Sequence, residues 1–365
     1  KLDMGVQSIS IAEVKRLPAV MGEVDVLKGI LIMPGVNTVG EATSGFNVRG
    51  GAADQNLILY GNSTIFNPTH AFGFFSAFNS DMVNGVELYK GSIPVNYGGR
   101  LSSVLQVDPK FGKNDKIGGS GGIGILTSRL SMEGPIGEKT TFTLGGRTTY
   151  SDWALDLLDD EADLNDSKIT FYDINANIQH NLNERNTLEL TAYLSQDDFR
   201  FDPDTTYSYQ NLNVALGWKH YFNDELEGRF SAGTDNYEFG IVGIENPLNS
   251  FEFSFDVHQL FLKADFEYRK SEKHIINFGV HGIQYSLNPG RNQPYGSESI
   301  VIDKELDEEN AREISVYLGD EFILSEKLSV SYGGRYMLYQ MLGPMTVNQY
   351  VDGAPITDSN LIGEE

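Results

Sequence analysis

The chain has 365 residues, and its 51 acidic against 27 basic residues give a formal net charge of -24. So acidic a chain has no basic stripe with which to neutralise phosphates, which argues against a nucleic-acid partner. Cysteine is absent, so neither a disulfide framework nor a thiolate metal site is expected. No stretch approaches the roughly 18 consecutive apolar residues of a membrane helix. A search for such runs does not detect the strands of a membrane barrel, because their apolar and polar residues alternate.

The first part of the chain, to about residue 112, mixes helix and strand patterns. Helical spacing occurs in IAEVKRL and in EVDVLKGILIM, and the second ends before Pro34 and Gly35, which stop a helix well. Short strands separated by glycine turns are predicted at FNVRG, NLILYG, VELYKG and SSVLQVD. Because a segment of roughly 110 residues can form one core, we predict an α+β domain over residues 1–115.

After Gly118 the helical patterns give way to long segments with a period of two. In YDINANIQHN, for example, Tyr172 and Ile174 fall on one face and Asp173 and Asn175 on the other. Alternation alone fits both a soluble sandwich and a membrane barrel. The segments are roughly 10–14 residues long, which is closer to tilted membrane strands than to the strands of soluble sheets.

The connections favour the membrane barrel. Short turns at GEKT, NERN, NDEL, SEKH and SEKL alternate with long polar connections at residues 152–166, 199–207, 243–249 and 289–312. Outer-membrane barrels distribute their periplasmic turns and extracellular loops in this way. If residues 116–125 are the first strand and 126–136 the second, the pattern reaches an eleventh strand at 328–341. Closed barrels have an even strand number, so residues 116–365 are expected to be the N-terminal half of an all-β transmembrane antiparallel barrel, in a chain truncated at both ends.

Two stretches of the first domain carry a resemblance to a known family. VRGGAADQNLILYG, residues 48–61, and NPTHAFGFFSAFNSDMVNGVELYKGSIPVNYGGRLSSVLQV, residues 67–107, resemble the plug of TonB-dependent outer-membrane transporters, in the branch common in Bacteroidota. LPAVMGEVDVLKGILIMPGV and GGIGILTSRLSMEGPIGEKTTFTLGGRTTYSDW are similar to the same family. The resemblance is dense over residues 17–107 and continues through residues 121–153, and beyond them it depends on architecture alone.

This resemblance implies a 22-stranded barrel closed by the plug, in the outer membrane of a Gram-negative bacterium and in contact with its lipid. It implies import of a scarce nutrient when the TonB–ExbB–ExbD complex acts on the plug; siderophore, vitamin, glycan and peptide are all open as substrates. The alternative is a receptor or scaffold barrel that binds a surface lipoprotein or a secretion component without transport. Because the sequence shows no catalytic constellation, neither enzymatic activity nor a cofactor is expected.

The resemblance also assigns roles to basic residues of the plug. Arg49 in VRG matches a plug arginine that pairs with glutamates of the barrel wall, and Lys90 in YKG occupies a position that is often arginine. With Arg100 of YGGR, these residues are expected to make ionic contacts between plug and barrel, since an unpaired cation inside a lumen is costly. Glu189, Glu267 and Glu321 are candidate partners by face. The alternative interpretation is that the three basic residues are ordinary solvated charges on loops.

The segment NSTIFNPTHAFGFF, residues 62–75, is expected to form a plug loop at the outer vestibule. Aromatic and polar groups at the bottom of a concave site suit small-molecule recognition, although buried phenylalanine in the plug core is the competing interpretation. The candidate ligand contacts are Phe66, Asn67, His70, Phe72 and Phe74.

The glycines expected to allow turns with positive φ are Gly50, Gly51, Gly91, Gly98 and Gly99. No metal site is expected, because the acidic run at 152–166 lacks EF-hand spacing and the histidines lack ligand spacing.

Overall fold

The computed structural model of the chain describes residues 5–17, 23–38, 45–113, 115–150, 168–202, 204–343, 348–353 and 355–364. The acidic run predicted as a loop at 152–166 lies outside these residues. None of the helices in the described segments has the length and apolar character needed to cross a membrane.

Residues 5–113, called the plug below, form the predicted small α+β unit. Five of its strands make one sheet in the order β1-β8-β9-β4-β5, in which β4 and β9 are parallel and the other pairs antiparallel. The elements are β1 (Val6–Ser10), α1 (Ile11–Val14), α2 (Val26–Leu31), β2 (Val36–Thr38), β3 (Phe46–Val48), β4 (Asn56–Tyr60), β5 (Ser63–Thr64), β6 (Thr69–His70), β7 (Phe75–Ser76), β8 (Val83–Tyr89) and β9 (Ser103–Pro109).

Both plug helices begin at side chains that cap them. The Ser10 hydroxyl accepts from the backbone N–H of Glu13 (3.3 Å), and the Glu13 carboxylate accepts from the backbone N–H of Ser10 (2.9 Å), which is a capping box. Asp25 caps α2 by accepting from the N–H of Lys28 at 2.9 Å. The core between the helices and the sheet includes Val26, Ile30, Val86, Leu88, Leu105 and Val107.

The rest of the chain forms one long antiparallel sheet, called the wall sheet below. Its path runs β10 to β18 in chain order and then β20 and β21, while the short β19 pairs only with β18. The prediction of about eleven strands is therefore confirmed, with the first and last close to the predicted positions. The strands are β10 (Gly118–Ile123), β11 (Thr127–Ile136), β12 (Thr140–Thr149), β13 (Lys168–Asn183), β14 (Asn186–Asp202), β15 (Thr205–Tyr221), β16 (Leu226–Gly243), β17 (Phe251–Ser271), β18 (His274–Pro294), β19 (Lys304–Glu305), β20 (Glu309–Ser325) and β21 (Leu328–Leu342), and a separate hairpin follows with β22 (Asn348–Tyr350) and β23 (Leu361–Glu364).

Two of the predicted long connections are shorter in the structure. Residues 199–202 and 205–207 continue the ladder between β14 and β15, with Phe199 opposite Tyr207, and β18 extends to Pro294 before the next connection. Polar composition favours loops, but side chains of any polarity can extend a hairpin while the ladder satisfies the backbone. We call the side with the turns after β11, β13, β15, β17 and β20 the short-turn end, and the opposite side the long-loop end.

The wall sheet distributes polar and apolar side chains between its two faces in the opposite way to a soluble sheet. Asp173 and Asn175 are buried against the plug, whereas Tyr172 and Ile174 are 44% and 47% exposed on the outside. A soluble sheet buries its apolar face and exposes its polar one. Apolar side chains outside and polar ones inside are the arrangement of a transmembrane barrel strand.

The wall sheet curves around the plug. Its contacts with the plug include β11, where Arg129 Nε lies 3.0 Å from a carboxylate oxygen of Asp81. They extend to β21, where Arg335 Nη1 donates to the carbonyl of Asn96 at 3.2 Å. Within the described residues β10 and β21 each have only one neighbouring strand, so the sheet is open at both edges.

Candidate functional site: the contact between plug and wall sheet

A buried arginine of the wall sheet holds the plug at β12. The guanidinium of Arg147 donates from Nη1 to the carboxylate of Glu23 in the plug (2.6 Å), from Nε to Asp173 of β13 (2.7 Å) and from Nη2 to the carbonyl of Ser76 in the plug (2.7 Å). Register positions Arg147 opposite Asp173, because the two are paired residues of β12 and β13. All three charged side chains are at most 3% exposed, so water does not screen their attraction.

His70 of the plug occupies the next position in this cluster. Its Nδ1 lies 2.6 Å from Asp197 of β14, and its Nε2 lies 3.3 Å from Asp173 and 3.3 Å from the hydroxyl of Tyr193. The imidazole ring stacks on Phe171 with 4.3 Å between centroids. Both ring nitrogens therefore face carboxylates, which is the environment of an imidazolium. We call Glu23, His70, Arg147, Asp173 and Asp197 the buried network.

The surroundings of His70 change its pKa. Burial by itself lowers the pKa of this imidazole, but the carboxylates of Asp197 and Asp173 more than offset burial and raise it to about 9. The side chain is 0% exposed. This position does not fit the predicted ligand contact, because every polar atom of the ring is already bound and no face is open to the vestibule.

A second contact joins β5 of the plug to the middle of the wall sheet. The backbone N–H of Thr64 donates to Asp235 (2.9 Å), and its carbonyl accepts from the amide of Asn213 (2.9 Å). Gln259 donates to both Thr64 Oγ1 (3.3 Å) and Asp235 (3.1 Å). Here wall side chains satisfy both backbone groups of an edge strand of the plug, as a neighbouring strand would.

Toward β21 the contact between plug and wall sheet leaves open space. A cavity of about 620 Å³, called the chamber below, lies between the plug sheet and the wall strands. Glu87 and Asp108 line its plug side, and burial together with the neighbouring Glu87 raises the pKa of Asp108. The wall side includes Lys219, Lys263, Asp265, His281, Glu313 and Arg335.

An aromatic cluster lies toward the long-loop end of the plug. Phe72 is half-buried and has the left-handed backbone conformation, with φ of 55°. Its ring lies edge-on to Tyr207 (5.8 Å between centroids), and its N–H donates to the hydroxyl of Tyr209 (3.4 Å). Tyr207 also stacks on Phe199 at 5.1 Å. A bulky residue with positive φ is uncommon and marks a backbone that its surroundings constrain.

The other candidate ligand residues are divided between the plug surface and its interior. Phe66 and Asn67 are half-buried, and the Asn67 carbonyl accepts from the amide of Asn211 at 3.4 Å. Phe74 packs against a small core cluster that contains Phe75. The structure thus brings Phe72 to the wall sheet near the long-loop end, whereas Phe74 fits the competing interpretation of plug core.

The three predicted basic contacts are arranged differently from the expectation. Lys90 is buried within the plug, where its ammonium donates to Gln7 Oε1 and to the carbonyl of Pro34, both at 2.7 Å. Burial and the nearby guanidinium of Arg49 lower the pKa of Lys90. Arg49 and Arg100 are exposed. Among the described residues, none of the three cations forms an ion pair with a carboxylate, and their contacts with further wall strands stay a prediction.

Two of the three suggested wall partners have other neighbours. Glu189 accepts from Gln179 at 3.0 Å, and Glu267 pairs with Arg269 at 2.7 Å. In the contacts of Glu23 and Asp81 the charges are the reverse of the expected ones. The wall sheet supplies the arginine, Arg147 or Arg129, and the plug supplies the carboxylate. Two contacts keep the expected polarity, with the cation on the plug: His70 with Asp173 and Asp197, and Lys110 with Glu133 of β11 at 2.8 Å.

The predicted turn glycines fall into two groups. Gly50 and Gly99 have positive φ, at 83° and 79°, as predicted. At Gly98 the constraint is space, because a Cβ there would lie 2.5 Å from Nε of Arg335 on the wall sheet. The other two, Gly51 and Gly91, are also absent from the positive-φ region.

The buried network was not predicted, although one signal for part of it was available. Arg147 and Asp173 both fall on the polar face of alternating strands, and a charge on that face of a barrel strand must find a partner inside. Glu23 and Asp197 carry no comparable local signal, since their partners are distant in sequence.

Comparison with known proteins agrees with this arrangement. Residues 2–104 match the family described as the TonB-dependent Receptor Plug Domain. Comparison with curated protein sequences gives no match.

Solved structures share the fold. The ferric enterobactin receptor PfeA of Pseudomonas aeruginosa is 17% identical, with a TM-score of 0.68, over 92% of this chain and 57% of that one. The siderophore receptor PirA of Acinetobacter baumannii is 14% identical, with a TM-score of 0.68, over 92% and 57%. The outer membrane transporter YddB of Escherichia coli is 12% identical, with a TM-score of 0.66, over 92% and 56%.

This chain spans little more than half the length of these three proteins. All three are named as receptors or transporters, in line with the expectation of a protein that is not an enzyme. Residues 2–104 thus match the plug domain of TonB-dependent receptors, and the chain shares with these solved structures the fold of a plug that lies against the polar inner face of an open sheet of barrel strands.

Proposed function

We propose that the protein imports a small nutrient across the outer membrane of a Gram-negative bacterium, driven by the TonB–ExbB–ExbD complex, with the plug gating the barrel. The observation that carries this proposal is the polar contact between plug and wall sheet, with the chamber of about 620 Å³ beside it. Polar groups that separate can be rehydrated, whereas separating an apolar contact would expose surface that water disfavours. Such a plug can move and return.

The outside of the wall sheet supports placement in a membrane. Leu216 and Leu262 are 61% and 67% exposed in a belt of outward apolar side chains. Toward the short-turn end, aromatic residues such as Trp218 and Phe266 border this belt. An apolar band with aromatic girdles is the surface that a barrel presents to lipid.

The aromatic cluster at the long-loop end supports a small ligand with an apolar or aromatic face. Phe72 and Tyr207 provide half-buried ring surfaces, packed on the buried ring of Phe199, next to the plug loop that the sequence assigned to the vestibule. Two of the solved structures with this fold are named as siderophore receptors. A ferric siderophore is therefore the first substrate to test, before a vitamin, a glycan or a peptide.

The experiment locks the plug to the wall sheet in the full-length protein. A Cβ at Gly319 of β20 would lie 2.9 Å from Cγ2 of Val95 in the plug, so cysteines at these two positions are close enough to be bridged. The sequence contains no other cysteine. We expect the oxidised Val95→Cys, Gly319→Cys protein to lose uptake of a ferric siderophore at least tenfold, and to recover it on reduction.

The single variant Val95→Cys, oxidised in parallel, is the control for thiol chemistry. Loss of uptake on TonB depletion, with normal assembly, would agree with the proposal. A scaffold that transports nothing would function equally well with the plug locked. Uptake that continues in the locked protein, or without the proton gradient, would refute plug gating by TonB.

A further inference from the structure

The outward face of the wall sheet contains a groove on the side away from the plug. It crosses β15 to β20 and has a volume of about 760 Å³. In one row of paired residues, the small Ala232 and Gly282 alternate with Leu216, Leu262 and Ile314. The small residues make two notches between large apolar ridges, so the floor of the groove is apolar and uneven.

The notch at Gly282 is open space. A Cβ added there would meet a single atom within 4 Å, the carbonyl oxygen of Leu262 at 4.0 Å. By contrast, a Cβ at Gly233 would lie 2.4 Å from the carbonyl oxygen of Val214. Gly282 is therefore not required by packing, and a larger side chain can fill the notch without disturbing the sheet.

The neighbouring row, toward the long-loop end, introduces a cation. Arg312 pairs with Gln284 across β20 and β18, and its Nε donates to Gln284 Oε1 at 3.4 Å. Among the described residues, Nη1 and Nη2 of Arg312 have no hydrogen-bond partner. The rows that form the groove carry no other charge. An arginine that faces lipid is costly unless it reaches water or an anion.

The order of groups along the groove matches the order within a lipid. The apolar notches come first, then Arg312 and Gln284, and then a polar row that includes Asn310 and Ser286. A lipid seated with its chains toward the middle of the membrane would place its phosphate at the level of Arg312. Phosphate suits the planar guanidinium, which can donate two parallel hydrogen bonds to it.

The geometry points to a binding site for an anionic lipid, with one acyl chain in the notches at Gly282 and Ala232 and the phosphate on Arg312 and Gln284. This inference rests on the proposed placement in the outer membrane. It adds a specific ligand to the side of the sheet that does not face the plug. Glu308 lies at the rim, where it accepts from Ser286 and from Asn310 (3.3 Å), and its charge opposes a phosphate there.

The test measures lipid binding by the full-length protein in neutral detergent. Native mass spectrometry and thermal shift are recorded with phosphatidylglycerol, with phosphatidylcholine and with inorganic phosphate. We expect tighter binding of phosphatidylglycerol than of phosphatidylcholine, and a loss on the order of tenfold in Arg312→Gln, since one charge-assisted contact is worth about that factor. Lys270→Gln removes one exposed outward charge at the short-turn end and is the matched control.

Two further variants test each half of the site. Gly282→Leu fills the notch and should reduce binding of both lipids while the folded barrel is retained, and Glu308→Gln should strengthen binding of phosphatidylglycerol. Equal effects of Arg312→Gln and Lys270→Gln, or equal binding of inorganic phosphate and of lipid, would overturn the proposal. So would a dimer that Gly282→Leu dissociates, because the groove would then be an interface between copies.

Barrel assembly is followed separately by heat-modifiable migration of protein from the outer-membrane fraction. An assembled barrel without lipid selectivity would refute the lipid site alone. Failure to reach the membrane would refute the proposed function instead.

Discussion

The two sides of the plug are bound to the wall sheet by the same kinds of residues in different surroundings. At β12 to β14, Arg147 and its carboxylates lie in the buried network without access to water. At β17, Lys263 donates to the carbonyl of Asn62 at 2.9 Å but lies on the chamber. Burial, and not the number of charges, makes these two contacts different, because a charge left unpaired in the interior cannot be rehydrated.

This difference suggests how the plug is fastened. The buried network acts as an anchor, since breaking any member exposes others to a large desolvation penalty. The chamber side is the side on which the plug can separate from the wall sheet at small cost, because water already reaches its groups. Three predictions test this comparison.

The largest effect is expected at the anchor. Arg147→Met leaves Glu23 buried without its cation and Asp173 with His70 as its one remaining cation, which should destabilise the docked plug by about 3–5 kcal/mol. Thermal unfolding in detergent and protease sensitivity of the plug measure this loss. Adding Glu23→Gln to Arg147→Met should recover part of it, because the two residues interact directly. A loss no larger than that of the chamber variant below would contradict the anchor.

The second effect depends on pH through His70. Its pKa in the folded protein is about 9, above the usual value of 6.5 in the unfolded chain. Protonated His70 therefore contributes on the order of 3 kcal/mol to the free energy of unfolding. This contribution is complete below pH 6.5 and is lost as the pH rises through 9. Denaturation curves between pH 6 and 10 measure it by difference from His70→Gln, which should lack this pH-dependent component. Parallel curves for the two proteins would show that His70 is not protonated in the network.

The smallest effect is expected at the chamber. Lys263→Met is the counterpart of Arg147→Met, but the lysine is half-exposed and its ammonium contacts one carbonyl and the ring of Phe261, so it should cost at most about 1 kcal/mol. The same unfolding and proteolysis assays apply. A loss equal to that of Arg147→Met would mean that the plug is anchored equally on both sides.

The strands of the wall sheet were predictable because their signal is local. Alternation along each segment and short turns such as GEKT set the hairpins, and the paired strands β11 and β12 follow directly from them. The connection expected at 199–207 was predicted wrongly, because polar residues continue a ladder as readily as they form a loop. Composition does not distinguish the two where neighbouring strands satisfy the backbone.

The predicted site was harder to infer because it depends on contacts between distant segments. Lys90 was expected at the wall sheet from its motif, but the plug itself buries its ammonium against Gln7 and Pro34. His70 was expected at a ligand and lies between two wall carboxylates instead. No pattern in either segment specifies which partner the fold will bring to it.

The sequence by itself determined the repeating strands, their turns and the compact α+β unit before them, because hydrophobic period and turn chemistry act over a few residues. Only the tertiary structure decided that Glu23 meets Arg147 and that His70 meets Asp197. Those pairs are 124 and 127 residues apart in the chain, and they form because the sheet curves around the plug and excludes water there. Charge then selects the partners, since each group that loses its hydration must recover that energy from a neighbour.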